Sequence, residues 1–343
     1  MASADSRLTT VETRLHLLRR LADGRFHSGE GLAHDLGVSR AAVWKQIQGL
    51  RVAFGVEVSA VRGRGYRLQA PLDLLDIDQI REMLGDAARA SLAILALLDS
   101  VDSTNSHLLR ERFLSSGRVA ACVAEQQTGG RGRRGRGWVS PFGCNLYLSV
   151  SRRFDQPAAA LGGLSLAAGV AVASALESEG AKGTRLKWPN DLLWDGRKMG
   201  GILVEMSGEA DGPSHVVIGV GINLGMPPAA GESIGQPWVD LAEATRGLPP
   251  SRSRLAGVVL DRLVGCLAQF QSEGLAPFLP AWRALDGLAG HEVTVTVGDA
   301  AVEGRVLGVA DDGALLLGTA TGERRVIGGE VSLRPAPAMP ATP

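Results

Sequence analysis

Cysteine and histidine are scarce in this chain, and their placement excludes several kinds of site. The three cysteines, Cys122, Cys144 and Cys266, are odd in number, far apart and outside any CxxC spacing. We expect them to be reduced and mostly buried, so neither a disulfide framework nor a structural zinc site is predicted. The six histidines stand singly, without an HxxxH or HExxH pair. We therefore expect no metal ion held by the protein alone.

An apolar leader segment is also lacking. Six charged residues lie within the first twenty, namely Asp5, Arg7, Glu12, Arg14, Arg19 and Arg20. No apolar run is predicted to reach the ~18 residues that span a bilayer. We expect a soluble, cytoplasmic protein with no membrane partner, whose length predicts two or three domains at ~100–200 residues each.

Charge of one sign is absent overall but present locally. The formal net charge is zero, yet residues 1–70 hold eleven Lys/Arg against six Asp/Glu. A basic end of this kind is typical of chains with a polyanionic partner. The local structure predicted for this segment favours DNA as that partner.

The basic segment carries the pattern of a helix-turn-helix. Leucines and arginines recur at helical spacing from Thr9 to Ala22, which predicts a first helix. Ser28 is placed to cap a second helix, Gly37 to turn the chain, and Ser39 to cap a third helix that runs to about Phe54. Two helices joined by a tight glycine turn form a helix-turn-helix.

The third helix has an outward face that is predicted to meet DNA. Val43, Ile47 and Leu50 share its inner side. The predicted DNA-binding residues are Ser39, Arg40, Ala41, Lys45 and Gln48 on the helix, and Arg62 and Arg64 at the tip of a following hairpin, the wing. The alternative is a small helical domain with an ordinary charged surface. Turn chemistry, the basic face and the Arg-Gly-Arg tip favour DNA binding.

The rest of the chain predicts two further domains. Strands over 91–98, 120–127, 145–154, 185–188, 202–206 and 216–224 are interleaved with helices over 105–113 and 158–179, which indicates a mixed α/β core. A helix-rich stretch follows, and short glycine-punctuated β segments after Gly287 suggest a small barrel. We predict an α+β protein with a winged helix-turn-helix domain (1–72), a mixed α/β domain (73–286), an SH3-like β-barrel (287–335) and a disordered tail (336–343).

The most unusual segment is the loop from Gly129 to Trp138, which holds four arginines among five glycines. Its glycines match the GxGxxG dinucleotide fingerprint. That motif must open a helix, which the residues from Trp138 to Gly143 cannot begin, and arginines at a helix N-terminus would oppose the helix dipole. A Walker loop also fails, since Gly135 is followed by Arg136-Gly137 rather than Lys-Ser/Thr.

Two interpretations of the loop remain from its residues. One is an RGG-like nucleic-acid tract; the other is a mobile loop that orders over a phosphate-bearing ligand. RGG tracts lie in long disordered regions, whereas this loop is placed between two apolar strands. Its position therefore favours a loop that closes over a ligand and excludes water from a reactive intermediate.

At this point the chain resembles the biotin protein ligases of the bifunctional, repressor type over nearly its whole length. The motifs that carry the resemblance are DSVDSTN (99–105), Gln127 with the loop 130–138, SPFG (140–143), KWPND (187–191), KMGGILVE (198–205) and IGVGIN (218–223). The resemblance implies that biotin's carboxylate attacks the α-phosphate of ATP. A lysine of the biotin carboxyl carrier protein then attacks the biotinyl-5′-adenylate. It also implies the fold predicted above, with a ligase domain of the biotin/lipoate type at its centre.

The resemblance also implies roles for individual residues. Ser103, Thr104, Asn105 and Gln127 surround the ureido head of biotin, and the loop arginines close over the acyl phosphate. The catalytic residues implied are Lys198, Arg133 and Asp191. The remaining residues implied to bind biotin or ATP are Gly130, Arg131, Gly132, Arg136, Trp138, Lys187, Asn190, Gly201, Asn223 and Trp238, of which Trp238 stacks on adenine. Mg²⁺ is expected to arrive with ATP.

Regulation follows from the same resemblance. The adenylate is expected to act as corepressor, and a homodimer is expected on biotin operator DNA, because a single helix-turn-helix rarely binds an operator tightly. Two alternatives are a biotin-sensing repressor without catalysis and a related ligase for lipoate. The intact Lys198 and Asp191 oppose the first alternative, and the Arg/Gly loop with KWPND opposes the second. Trp44 stands where relatives often carry a polar residue, so the resemblance implies no particular operator sequence.

Overall fold

The computed structural model describes residues 9–111, 117–208 and 212–333. Its first unit consists of three helices and a hairpin: α1 (Thr10–Leu21), α2 (Gly29–Leu36), α3 (Arg40–Phe54), β1 (Val58–Val61) and β2 (Gly65–Leu68). Ser28 and Ser39 cap α2 and α3 through their hydroxyls, and Gly37 ends α2 in the left-handed region at φ 61°. The predicted winged helix-turn-helix is confirmed.

This unit has its own core, which a residue from the central unit completes. Leu17, Leu18 and Leu21 of α1 are fully buried, and the partly buried Leu15 packs against them at the margin of the cluster. The ring of Phe142, from the segment that follows the Arg/Gly loop, belongs to the same cluster. It meets the Phe54 ring edge-on, with 5.0 Å between centroids. The end of α3 is therefore packed against the central unit.

A seven-stranded sheet forms the central unit. Its strands are β3 (Leu92–Leu98), β4 (Val119–Ala124), β5 (Leu146–Phe154), β6 (Arg185–Lys187), β7 (Asp191–Trp194), β8 (Arg197–Gly208) and β9 (Ser214–Ile222). They lie in the order β3-β4-β5-β9-β8-β7-β6. Only the β3–β4 pair is parallel. The helices of this unit are α4 (Ile77–Glu82), α5 (Asp86–Ser91), α6 (Thr104–Arg110), α7 (Leu164–Ser178), α8 (Pro228–Gly231), α9 (Leu241–Ala244), α10 (Arg252–Glu273) and α11 (Leu279–Leu285).

Both faces of the sheet are covered, and the alternation of side chains along β4 shows how. Ala121 and Val123 belong to the main core with α7 and α10, whereas Ala120 and Cys122 face a smaller cluster with Leu108 of α6. Successive strand residues point to opposite faces. The apolar run of β4 is thus explained by burial on both sides.

The core helix α7 corrects one expectation. The segment Ala158–Ser178 is 21 residues long and apolar enough to cross a membrane, and 61% of its most apolar window is buried inside the fold. The prediction that no apolar run approaches bilayer length is therefore wrong. Gly162 and Gly163 interrupt the segment before α7 begins, and its buried side chains pack against α10 and the sheet.

The C-terminal unit is a five-stranded antiparallel sheet in the order β13-β12-β11-β10-β14. Its strands are β10 (Glu292–Val297), β11 (Ala300–Val309), β12 (Leu315–Thr319), β13 (Gly322–Val326) and β14 (Glu330–Leu333). The predicted small β-barrel corresponds to this sheet, although β14 was not anticipated. The proposed boundaries near residues 72 and 287 remain predictions. The predicted tail from 336 and the predicted helix end at Phe113 lie outside the described residues.

Candidate active site

One elongated cavity of about 430 Å³ lies beneath the Arg/Gly loop. Its walls come from α6, the loop, β6 to β9 and the C-terminal sheet. The predicted ligand-binding and catalytic residues that line it are Ser103, Thr104, Asn105, Gln127, Arg131, Gly132, Arg133, Arg136, Trp138, Lys187, Asn190, Asp191, Lys198, Gly201, Asn223 and Trp238. Motifs spread over 136 residues of sequence, from 103 to 238, therefore meet around one space.

Gly130 is the one predicted ligand-binding residue that does not line the cavity. A Cβ there would lie 2.7 Å from the Ser140 hydroxyl and 2.8 Å from the Trp138 carbonyl oxygen. Both distances are shorter than real Cβ contacts allow. Gly130 is therefore needed for the close packing of the loop base, and its contact with a ligand remains a prediction.

The Arg/Gly loop is folded into a small hairpin-like turn. Arg131 pairs with Gly137, and the Trp138 N–H donates to the Gly130 carbonyl at 2.9 Å. A 3₁₀ turn at its tip places Arg134 at φ 55° and Gly135 at φ 73°. The loop therefore has a defined backbone, with one non-glycine residue, Arg134, in the strained left-handed region.

The loop arginines contact two different parts of the molecule. Arg131 pairs with Glu205 of β8 at 3.2 Å, and Arg136 pairs with Glu330 of β14 at 2.5 Å. Arg133 donates to the Gly329 carbonyl at 3.1 Å. Burial lowers the pKa of Arg133, with repulsion from Arg134 adding to the effect. Gly329 and Glu330 of the C-terminal unit thus touch the loop.

Two glycines of β9 leave room for the side chains of Asn105 and Trp138. A Cβ at Gly219 would lie 2.3 Å from Asn105 Oδ1, and one at Gly221 would lie 2.5 Å from the Trp138 ring. The Trp138 indole N–H is buried without a hydrogen-bond partner among the described residues. The sequence analysis did not assign Gly219 and Gly221 to the site, although the spacing of the GVG motif was visible.

At one end of the cavity, polar side chains form a connected network. The Gln127 Oε1 accepts from the Thr104 backbone N–H at 2.9 Å, and its Nε2 donates to the Ser140 hydroxyl at 3.2 Å. The fully buried Ser149, which the sequence analysis missed, lies 2.7 Å from Thr104 Oγ1. Ser103 caps α6 with its hydroxyl and also lines the cavity. This end suits a polar, uncharged group.

At the other end, charges are concentrated. The Asp191 carboxylate lies 2.6 Å from Lys198 Nζ and 3.5 Å from Lys187 Nζ. The Lys198 ammonium also lies 5.7 Å from the centroid of the Trp138 ring. With Arg133 and Arg136 nearby in the lining, the balance at this end is positive, as an anionic ligand requires.

The same residues do not form a dedicated site for Mg²⁺. Asp191 is occupied by two lysines, and in the part of the chain that the structure describes no group of three His, Cys, Asp or Glu side chains is placed to hold a metal ion. A divalent cation would rely chiefly on oxygens from a ligand's phosphates.

Three of the residues predicted to bind biotin or ATP also contact other parts of the protein. Asn190 donates to the Ile202 carbonyl at 2.8 Å, and Asn223 donates to the Val239 carbonyl at 3.2 Å. The ring of Trp238 lies against Gly231, where a Cβ would be 2.1 Å away. Lining residues that the sequence analysis missed include Ser233 to Gln236 and Val331. None of these residues carried a distinctive sequence pattern.

The predicted DNA-facing residues are exposed in the first unit. Arg40, Ala41, Lys45 and Gln48 are exposed along α3, and Ser39 caps it. Arg62 and Arg64 are exposed at the tip between β1 and β2. The Arg64 guanidinium lies 4.0 Å above the ring of Phe26, a contact that no local sequence pattern indicates.

The cysteines agree with their predicted character. All three are free thiols, with Cys122 and Cys266 buried. Burial raises the pKa of each of those two to about 12. They behave as small apolar side chains.

Comparison with known proteins identifies the arrangement. Three family models match in succession: an HTH domain over 13–67, the biotin/lipoate A/B protein ligase family over 97–223, and a biotin protein ligase C-terminal domain over 289–334. The bifunctional ligase/repressor BirA of Salmonella typhimurium is 45% identical over 96% of this chain and 99% of its own. The bifunctional ligase/repressor BirA of Escherichia coli is 45% identical over 94% of this chain and 97% of its own. A biotin protein ligase from Aquifex aeolicus in complex with biotin and ATP matches with a TM-score of 0.59 at 32% identity, over 71% of this chain and 100% of that one. The chain therefore belongs to the biotin protein ligase family, in the form that carries a helix-turn-helix domain ahead of the ligase domain.

Proposed function

We propose that the protein activates biotin with ATP and transfers the biotinyl group to a lysine of the biotin carboxyl carrier protein of acetyl-CoA carboxylase. The observation that carries this proposal is the two-ended cavity. It has an uncharged polar end at Thr104 and Gln127 and a cationic end at Lys198 and Arg133. Biotin has the matching distribution, with a ureido head at one end and a carboxylate at the other.

Step one brings two anions together. A carboxylate oxygen of biotin attacks the α-phosphorus of ATP, the α–β phosphoanhydride bond breaks, and pyrophosphate leaves. Lys198, held by Asp191 at 2.6 Å, would contact both the carboxylate and the phosphate. Arg133, at the loop tip, supplies further positive charge from above. Charge placed in advance of the reaction stabilises the pentavalent transition state without reorganisation.

Step two consumes the mixed anhydride. The neutral ε-amine of the carrier lysine attacks the acyl carbon, an amide bond forms, and AMP leaves with the electrons of the acyl C–O bond. The Arg/Gly loop over the cavity would keep water from the anhydride until the lysine arrives. Arg131 and Arg133 are the residues of the loop that face the bound adenylate in this proposal.

The head pocket favours biotin over lipoate. A ureido oxygen accepts hydrogen bonds, and the Ser103 hydroxyl, the second Gln127 Nε2 hydrogen and Arg131 are donors in the lining. Lipoate would present an apolar dithiolane ring, and burying these polar groups without partners is unfavourable. Trp238 is proposed to stack on adenine. The nucleotide is proposed to enter as MgATP, as part of the substrate.

The first unit is proposed to make the protein a repressor of biotin synthesis genes, with biotinyl-5′-adenylate as corepressor. Lys45 and Gln48 would face bases in the major groove, while Arg62 and Arg64 would contact the backbone. A homodimer, formed when adenylate or DNA is bound, would place two such units on a two-fold operator. A cytoplasmic location is proposed, because the proposed ATP, carrier protein and DNA would all be met there.

A single assay tests the enzyme. Purified protein is incubated with biotin, MgATP and a carrier domain, and the carrier is weighed by mass spectrometry. We expect the mass increment of biotin, and lipoate in place of biotin should give none. An increment with lipoate alone would exclude the proposed substrate.

A gel shift tests the repressor. Biotin with MgATP should strengthen the shift of DNA from upstream of biotin synthesis genes, and a shift that does not respond to biotin and MgATP would separate the two functions.

A further inference from the structure

One carboxylate outside the cavity lining contacts both the floor and the roof of the head pocket. Glu205 lies near the end of β8 and is not among the lining residues. Its Oε2 accepts from Asn105 Nδ2 at 2.7 Å, and its Oε1 accepts from Arg131 Nη2 at 3.2 Å. Asn105 belongs to α6 and Arg131 to the Arg/Gly loop, and both line the cavity. Glu205 therefore joins a fixed helix to the loop above it.

The contact with Glu205 sets the orientation of the Asn105 amide. Asn105 Nδ2 donates to Glu205 and to the Leu203 carbonyl at 3.3 Å, and its Oδ1 accepts from the Ser149 hydroxyl at 2.6 Å. An amide has two N–H donors, so both are engaged by the protein. If the Asn105 amide were turned over, its Nδ2 hydrogens would face the Ser149 hydroxyl. Its Oδ1 would then face the Glu205 carboxylate. Asn105 thus presents one orientation to the cavity.

Glu205 is also remote from the reacting groups. It lies seven residues beyond Lys198 on the same strand, which at about 3.3 Å per residue is roughly 20 Å. The cavity follows β8 between them, since Lys198, Gly201, Ile202 and Leu203 are successive lining residues of this strand. A change at Glu205 therefore acts on the head of a bound ligand before it acts on the carboxylate end.

We propose that Glu205 is a positioning residue for biotin binding, which holds Arg131 closed over the ureido head and fixes the Asn105 amide below it. The inference rests on the proposed function and names how the head pocket is assembled. Glutamine at this position has only one amide oxygen. It can accept from Asn105 or from Arg131, but its NH₂ must face the other donor. The variant Glu205→Gln therefore breaks one of the two contacts while keeping the size of the side chain.

The test compares Glu205→Gln with the wild-type protein and with Glu243→Gln. Glu243 pairs at 2.6 Å with Arg197, the first residue of β8. Neither residue lines the cavity. Glu243→Gln therefore controls for the loss of an arginine–carboxylate pair on this strand. For Glu205→Gln we expect the KM for biotin and the dissociation rate of biotinyl-5′-adenylate to rise about tenfold, the scale of a lost charge-assisted contact. The rate of adenylate formation at saturating biotin should change by less than about twofold, because Lys198 and Arg133 are undisturbed.

A double-mutant cycle with Arg131→Met separates positioning from general damage. If Glu205 acts largely through Arg131, Glu205→Gln should raise the KM by less than about threefold when Arg131 is already absent. An equal tenfold rise in both backgrounds would overturn the proposal, as would an unchanged KM for biotin or a loss confined to kcat. Thermal unfolding of each variant shows whether the chain is folded. Failure of the wild-type protein to form any adenylate from biotin and MgATP would instead contradict the proposed function.

Discussion

The Asp191 carboxylate lies 2.6 Å from the Nζ of Lys198, and Lys187 approaches the same carboxylate at 3.5 Å. All three side chains are at most about one fifth exposed. One carboxylate between two lysines holds both ammonium groups within the cavity and leaves a net positive charge there. When an anionic ligand enters, Lys198 can contact it without first being ordered, and this is how a preorganised charge lowers a barrier.

Replacing Lys198 by alanine should reduce adenylate formation by about 10²-fold or more, the scale for removing one preorganised charge from an active site. The loss should appear in the single-turnover rate of pyrophosphate release at saturating biotin and MgATP. Lys182→Ala is a suitable control, because Lys182 is exposed and does not line the cavity. A Lys198→Ala rate near that of the control would show that Lys198 has been misassigned.

Gly221→Ala should damage the site through Trp138. The new methyl group would lie 2.5 Å from the Trp138 ring, and a ring held in a loop base cannot yield without moving the loop. Overpacking of this kind costs typically ~1–3 kcal/mol, so we expect roughly a tenfold or greater rise in the KM for biotin. Gly265→Ala is the matched control, since a Cβ at that position of α10 meets nothing within 4 Å. Equal KM values for the two variants would contradict the packing of Trp138 on β9.

The buried pair of Glu125 and Arg252 should be a major contributor to stability. Arg252 is 1% exposed and also donates to the Asn145 carbonyl at 3.0 Å, and Glu125 accepts from the Leu75 N–H at 2.7 Å. Glu125→Gln leaves the guanidinium buried without its carboxylate, which costs ~3–5 kcal/mol. The loss of stability is measured as the shift of the urea unfolding midpoint from that of the wild-type protein. The shift for the exposed variant Glu243→Gln is the comparison. Similar midpoints for the two variants would show that Arg252 finds another partner.

Local rules predicted the first unit well, because its helices begin and end on residues with specific chemistry. Ser28, Gly37 and Ser39 cap or terminate helices as their types require. The strand β7 was missed, since Asp191 to Trp194 mixes a site carboxylate with apolar residues and shows no alternation. Its pairing with β8, including a bulge beside Leu193, depends on tertiary contacts.

The active site also has parts that the sequence predicted and parts that depend on tertiary contacts. The family resemblance carried by the Arg/Gly loop and the ordered motifs predicted about half of the residues that line the cavity. Ser149 and Glu205 were missed because each acts through a neighbour, and their spacing to Asn105 of 44 and 100 residues carries no local pattern. Gly219 and Gly221 were quoted within a motif, but what they accommodate became evident only with the positions of Asn105 and Trp138.

The wing offers a test of DNA binding that leaves the ligase untouched. Arg64→Ala should weaken binding to all DNA sequences and reduce the slope of log affinity against log salt by about 1, the value for one lost phosphate contact. Phe26→Leu should give a smaller loss with nearly the full slope, because the arginine keeps its charge but loses the ring that lies 4.0 Å beneath it. Fluorescence anisotropy over a salt series measures both slopes, with Arg262→Ala on the exposed side of α10 as control. Biotinylation of the carrier should be normal in all three variants. A slope unchanged in Arg64→Ala would mean that the wing does not contact phosphate, and the exposed face of α3 would then have to account for binding alone.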